Sequence, residues 1–206
     1  NIYTYNYLPN SNLVASIDYP NNISVNKAYE ADRDLIDYIE NKHDTTTVSK
    51  YDYVNDAIGR RTSMARSGTA FSQSDTINYT YNDRNEVIGA DAVNDISYDF
   101  SMSFDNIGNR LDYSTYETGS EVSTTYWADD AKTAQGANQL NQYEKYTEGT
   151  TDKDLSHDAD GNMTSIPATG GSMPLQALEW NGENRLVVAE KTDQKLEFTY
   201  DYMGRR

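Results

Sequence analysis

One short pattern returns along this chain: a bulky residue, then Asp or Asn, two variable residues, and Gly or Asn. Clear copies carry Asp56 with Gly59, Asn82 with Asn85, Asp105 with Gly108, Asp158 with Gly161, Asn181 with Asn184, and Asp201 with Gly204. Weaker copies start at Leu8 and Glu30, with Ser11 and Arg33 in the last place. The first positions are 8, 30, 56, 82, 105, 158, 181 and 201, spaced by 20 to 26 residues except for one gap of 53. That gap is about two periods, and Tyr126-Trp127-Ala128-Asp129 is the expected remnant of a missing copy. A repeat of this length demands an array whose units lean on their neighbours, not a compact mosaic.

The physics of one unit is readable. Bulky residues alternate with polar ones before each turn: Tyr79 and Tyr81, Met102 and Phe104, Leu178 and Trp180, Phe198 and Tyr200. Residues two apart share one face of a strand, so each segment is a half-buried strand. Asp or Asn in the first place bonds its own backbone two residues on. Gly or Asn three residues later accepts a positive φ, which suits a type I turn followed by a bulge. Alternation then resumes, as in Asn184-Arg185-Leu186-Val187-Val188. Each unit is therefore a β-hairpin, and a lone hairpin is marginal in water, so neighbours must pair edge to edge. The expected fold is all-β: antiparallel hairpins joined into a continuous, curved strip over residues 1–206, with weaker repeats before residue 50. Ser11 and Arg33 depart from the pattern, so their turns are expected to take another form.

One segment admits a second reading. Ala28, Ala31, Leu35 and Ile39 stand near helical spacing, whereas the repeat phase predicts a hairpin there. Segments 67–76, 117–125, 147–153 and 167–173 are rich in Gly, Ser and Thr and are expected to connect strands, with Pro167 and Pro174 bracketing a Gly-Gly loop.

Charge narrows the partners. Acids outnumber bases 33 to 17, a net charge of −16, which repels nucleic acid and anionic membrane surfaces. There is no Cys, so there are no disulfides and no thiol chemistry. No apolar run is long enough to span a membrane. The opening NIYTYNYLPN lacks the basic and apolar regions of a signal peptide. Both termini fall inside the repeat pattern, so the chain is expected to be a piece of something longer.

Sites for chemistry are few. The histidines are His43 and His157, and His157 occupies the bulky place before a turn. With no Cys and no G-x-S-x-G elbow, a nucleophile–base pair is not expected, nor is catalysis. Asp158-Ala159-Asp160-Gly161-Asn162 resembles a calcium loop in part. Placing Gly161 sixth puts Ser156 first and Pro167 twelfth, where acids are needed, so no metal is expected. Gly170-Gly171 lacks the Lys of a phosphate cradle, and no cofactor is expected. Asn22-Ile23-Ser24, Asn78-Tyr79-Thr80 and Asn162-Met163-Thr164 have the form of glycosylation sequons, two of them overlapping the repeat. The 18 tyrosines have two readings: they pave strand faces and build a wall, or, with Trp127 and Trp180, they stack on sugar rings.

The units YDYVNDAIGRR, YTYNDRNEV, LSHDADGNMTS, LEWNGENRLV and FTYDYMGRR resemble the tyrosine-aspartate (YD) repeats of the Rhs family. GANQLNQY, residues 136–143, is similar to a segment common in that family. The resemblance covers nearly the whole chain and implies a β-strip that spirals into part of a larger hollow shell. In Rhs and toxin-complex proteins such a shell can enclose a C-terminal toxic polypeptide; teneurins use a related shell at animal cell surfaces. The resemblance implies a secreted or cell-surface bacterial scaffold whose partners are the rest of the shell and its enclosed polypeptide. Family shells that cleave their cargo do so through a C-terminal core region; this chain shows none, so no catalytic residue is carried over. The alternative is a cell-surface module binding glycans or proteins through its repeat aromatics.

Overall fold

The computed structural model describes residues 2–117, 119–167, 175 and 177–206. Of the expected Gly-Gly connection, 167–173, residues 168–173 lie outside the described residues. The architecture is all-β and antiparallel. The strands are β1 (Thr4–Tyr7), β2 (Val14–Asp18), β3 (Ile23–Tyr29), β4 (Ile36–His43), β5 (Thr46–Asn55), β6 (Arg61–Ser67), β7 (Asp75–Tyr81), β8 (Val87–Ala92) and β9 (Phe100–Phe104). They continue as β10 (Arg110–Glu117), β11 (Ser120–Trp127), β12 (Lys145–Glu148), β13 (Thr151–Asp154), β14 (Ser156–His157), β15 (Met163–Ser165), β16 (Ala177–Trp180), β17 (Leu186–Lys191) and β18 (Gln194–Glu197). β1 to β13 form one 13-stranded sheet in strict sequence order; β14–β15 and β16–β17–β18 form two smaller ones. Consecutive strands pairing with consecutive strands is what an array of hairpins requires.

The segment with two readings is a hairpin: β3 pairs β4, with Ala28 opposite Tyr38. Leu35 and Ile39 flank the start of a strand, because the neighbouring strands supply a ladder that outweighs local spacing. Two expected connections are corrected. Residues 117–125 hold the end of β10 and most of β11, turning at Gly119 with φ 82°. Residues 147–153 hold parts of β12 and β13, turning at Gly149 with φ 58°. Their threonines are β-branched strand formers, and composition alone reads them as loop. Residues 67–76 do span a connection, between the end of β6 and the start of β7.

The chain divides into two compact units: residues 1–101 with 116–120, and residues 102–115 with 121–206. In the first, Tyr53, Met64, Ile77 and Ala92 lie opposite one another on β5 to β8. Tyr79, Ala90 and Phe100 form a second such line on β7 to β9. Ile77, Ala90 and Ala92 are buried, and Met64, Tyr79 and Phe100 pack against them. Small alanines lie opposite larger side chains across the strands; burying Ile77 contributes about 1.5–3 kcal/mol. On the opposite face Val54, Ser63, Asn78 and Asp91 align, three of them polar. This unit also holds a buried ion pair. Arg66 and Asp75 are 8% and 3% exposed, with Arg66 Nη2 at 3.8 Å from Asp75 Oδ2 and 3.4 Å from Asp95 Oδ2. The guanidinium lies over the Tyr98 ring at 4.0 Å. In the second unit the buried apolar residues are Tyr146, Leu178 and Val188.

Candidate functional site: an interlocked row of turns

Each clear copy of the pattern sits at a chain reversal. Asp56 N–H donates to the Arg60 carbonyl at 2.8 Å, and Gly59 N–H donates to the Asp56 carbonyl at 3.1 Å. The side chain works in parallel: Asp56 Oδ1 accepts from Ile58 N–H and Arg60 N–H at 3.0 and 2.9 Å. The same four bonds recur at Asn82, Asp105, Asp158, Asn181 and Asp201. The last place has positive φ throughout: Gly59 90°, Asn85 65°, Gly108 93°, Gly161 87°, Asn184 55° and Gly204 76°. A Cβ meets steric resistance there, absent in Gly and tolerated in Asn through its local hydrogen bonding, which explains the restricted choice. At Leu8 and Glu30 the closing bonds run instead to Leu13 and Leu35, one residue further, and Asn10 takes the positive φ at 58° in the first of these turns.

A regular bulge follows. Asn55 faces Arg61 while Val54 faces Ser63, so Thr62 is passed over. Ile88, Thr164 and Val187 are passed over at the equivalent place, six residues past Asn82, Asp158 and Asn181. In the two longer turns the skip shifts by one residue, to Ala15 and Asp37. Each skip switches which residues of the returning strand face the apolar side.

A copy in the long gap was not legible as such. Asn138 N–H donates to the Gln142 carbonyl at 2.8 Å, Asn141 N–H to the Asn138 carbonyl at 2.9 Å, and Asn141 has φ 61°. Asn138 Oδ1 accepts from Leu140 N–H and Gln142 N–H at 2.9 and 3.1 Å. Asp129 also heads a reversal, with Lys132 at φ 57° and its carboxylate taking Thr133 N–H at 3.0 Å. The signal available was Asn-x-x-Asn in GANQLNQY, which matches Asn82 with Asn85 and Asn181 with Asn184.

Within each unit several neighbouring turns are fastened to one another, and this is where tyrosine matters. Tyr81 Oη donates to the Arg61 carbonyl at 2.7 Å, Tyr200 Oη to the Leu186 carbonyl at 2.8 Å, and Trp180 Nε1 to the Met163 carbonyl at 2.8 Å. In each case the residue before an Asp or Asn reaches the carbonyl five residues past the previous one. Tyr29 makes the equivalent bond to Val14 at 3.1 Å, and Tyr143 reaches Arg110 from the far side of the Asn138 turn at 2.9 Å. Phe could fill the same space but has no donor. A second set links side chains. Arg60, Asn109 and Asn162 donate to Asn85, Asn141 and Asn184 of the following turns at 2.8, 2.7 and 2.9 Å. Arg60 and Arg185 also lie over the rings of Tyr81 and Tyr200 at 4.8 and 5.0 Å.

The electrostatics follow from these bonds. The Arg60 guanidinium beside Asp56 holds its carboxyl below the ordinary aspartate range, as the Asn162 side chain does for Asp158. Arg205 N–H leads the same effect at Asp201. At Asp105 burial pushes the carboxyl up, but the Asn109 side chain and the turn N–H groups outweigh it and the net direction is down. The Asp158 carboxylate serves the turn itself, Oδ1 accepting from Asp160 and Asn162 N–H and Oδ2 from Asn162 Nδ2. Among the described residues no cluster of His, Asp and Glu is placed to hold a metal. His43 and His157 lie on β4 and β14. The indole N–H groups of Trp127 and Trp180 are used internally, Trp127 donating to Thr147 Oγ1 at 2.9 Å. A separate cavity of about 380 Å³ in the second unit is lined by Arg110, Tyr113, Tyr126, Tyr143, Tyr146 and Glu148, among others.

No family model and no curated protein matches the chain. Among solved structures it is similar to the crystal structure of TcdB2-TccC3-Cdc42, at a TM-score of 0.51 and 12% identity over 87% of this chain. It is equally similar to that of TcdB2-TccC3-TEV, at 0.51 and 12% identity over 93%. This chain spans 11% and 12% of those chains. The likeness is one of fold: the chain has a β-rich architecture like part of those large proteins.

Proposed function

We propose that the chain is a segment of an Rhs-type repeat wall that encloses or presents a C-terminal, toxin-like polypeptide, as a secreted or surface component of a bacterium. The reading assigns it no catalysis: its action is steric, a hydrogen-bonded sheet that keeps solvent and proteases from what lies behind it. The observation that carries it is the set of repeat turns, five consecutive pairs of which are fastened through a main-chain carbonyl. The sheet built in strict strand order supports it, as does the likeness to the TcdB2-TccC3 structures. Limited proteolysis of the full-length parent tests it. Protection of the C-terminal polypeptide, lost when that polypeptide is made alone, is expected; equal digestion of both forms would reject enclosure.

The tyrosine-lined cavity favours a second reading, a surface module that binds glycans or proteins. Glycan-array binding that vanishes in Tyr126→Ala, with folding kept, would favour it over the wall.

A further inference from the structure

The turn at Asn181 breaks a rule that its sisters keep. In the Asp56 and Asp201 turns the fifth residue is Arg, and its Nε–H donates to aspartate Oδ2 at 2.7 and 2.8 Å. Arg185 holds the same place in the Asn181 turn, yet its Nε–H is buried without a partner. The cause is chemical. Where the sisters present an acceptor oxygen, Asn181 presents the amide nitrogen, which is itself a donor. Leaving a buried donor unpaired is costly. The other asparagine turns avoid the conflict, because Asn82 Nδ2 donates to Glu86 and Asn138 Nδ2 to Glu144. Among the described residues Asn181 Nδ2 has no such acceptor; only its Oδ1 is bonded.

The same residue is placed to change. It is followed by Gly182, which is exposed and has no side chain to hinder approach of its amide nitrogen to Asn181 Cγ. Asn181 Oδ1 accepts from Glu183 N–H and Arg185 N–H, each at 3.0 Å. Two fixed donors on a carbonyl oxygen stabilise the negative charge that develops there when a nucleophile attacks its carbon. Asn82 and Asn138 have the same two donors, but Asp83 and Gln139 follow them and their amide nitrogens are tied to carboxylates.

We propose that Asn181 is a self-modifying site, deamidating through Gly182 to the aspartate that this turn is shaped for. The Gly182 nitrogen bonds to Cγ as its proton passes, through water, to Nδ2. The Cγ–Nδ2 bond breaks and the side-chain nitrogen leaves as ammonia, closing a succinimide. Water then adds at Cγ and the ring bond to Gly182 nitrogen breaks; one proton of the water goes to that nitrogen and the other to the released ammonia, leaving a carboxylate. The new oxygen replaces Nδ2 opposite Arg185 Nε and completes the fork seen at Asp56–Arg60 and Asp201–Arg205.

Incubation of the chain at mildly alkaline pH, followed by peptide mass mapping, tests the site. Asn181 is expected to show the mass change of an NH₂-to-OH exchange before Asn82 and Asn138 do, and Gly182→Ala is expected to slow it. Chromatography separates aspartate from isoaspartate, the product of water adding at the main-chain carbonyl. The variant Asn181→Asp is expected to melt about 2–4 °C higher than the parent, and to gain nothing when combined with Arg185→Met. Conversion of Asn181 no faster than of Asn82 and Asn138 would overturn the proposal. So would isoaspartate as the dominant product, or an Asn181→Asp protein that melts no higher.

Discussion

Tyr143→Phe isolates a single atom of the turn-to-turn fastening. The substitution keeps the ring, which packs on Tyr126 at a centroid distance of 4.8 Å. It deletes only the hydroxyl that donates to the Arg110 carbonyl at 2.9 Å. An intramolecular hydrogen bond contributes a net 0.5–1.5 kcal/mol or so, and this one is partly buried, so about 1 kcal/mol or slightly more should be lost. For a chain of this length that corresponds to a fall of roughly 2–4 °C in Tm. Tyr81→Phe removes an exposed version of the same bond, whose carbonyl water can reach, and should cost less, about 0.5 kcal/mol. Tyr202 is 94% exposed, and Tyr202→Phe serves as the control with no expected change. Urea melts followed by tyrosine fluorescence and circular dichroism measure all three. An order other than Tyr143, Tyr81, Tyr202, or three indistinguishable midpoints, would mean that the hydroxyls do not fasten the turns.

Other outcomes follow from the same geometry. Gly68→Ala would place a Cβ 2.5 Å from the Val48 carbonyl oxygen at φ 113°, and should cost roughly 2–3 kcal/mol by thermal melting; a neutral result would refute the close approach. Arg66→Ala leaves the Asp75 carboxylate buried without its counter-charge and should destabilise by about 3–5 kcal/mol, whereas Lys145→Ala, at a pair with exposed Asp154, should cost under about 1 kcal/mol. Asp56, Asp158 and Asp201 have carboxyls held below the ordinary range in the folded chain. Their contribution is therefore complete above the unfolded value near pH 4 and disappears as pH falls through the lower folded values, so Tm should drop on acidification below about pH 4. Asp56→Asn should flatten that drop, and an unchanged pH profile would count against the turn bonds. Burial raises the Tyr143 and Tyr146 hydroxyls, so the neutral forms stabilise the fold until pH climbs through their folded values, and melting should weaken above about pH 10.

The turns were legible because their chemistry is local. An Asp or Asn side chain meets N–H groups two and four residues on, and a positive φ restricts the next place to Gly or Asn, so a few consecutive residues carry the whole signal. Asn138 escaped because Thr133-Ala134-Gln135-Gly136-Ala137 before it has no alternating strand to flag it. The β10–β11 and β12–β13 hairpins escaped because strands rich in Thr, Ser and Gly have the composition of a loop. The fastening of turn to turn could not be read at all. It depends on which carbonyl each hydroxyl meets, and that is fixed by register and by the passed-over residue on each returning strand. The Arg66–Asp75 pair was hidden for a related reason: charged residues in a strand read as solvated until the register sets them opposite one another.

The fastening bonds aim at main-chain carbonyls, which every residue type provides. A unit therefore asks almost nothing of its neighbour's side chains at that point. Copies can be duplicated, deleted or traded while the joints still close, much like bricks cut to one mould. Such a lineage can drift far in sequence and still hold its form, and the changes that accumulate on either side of a joint need not track each other.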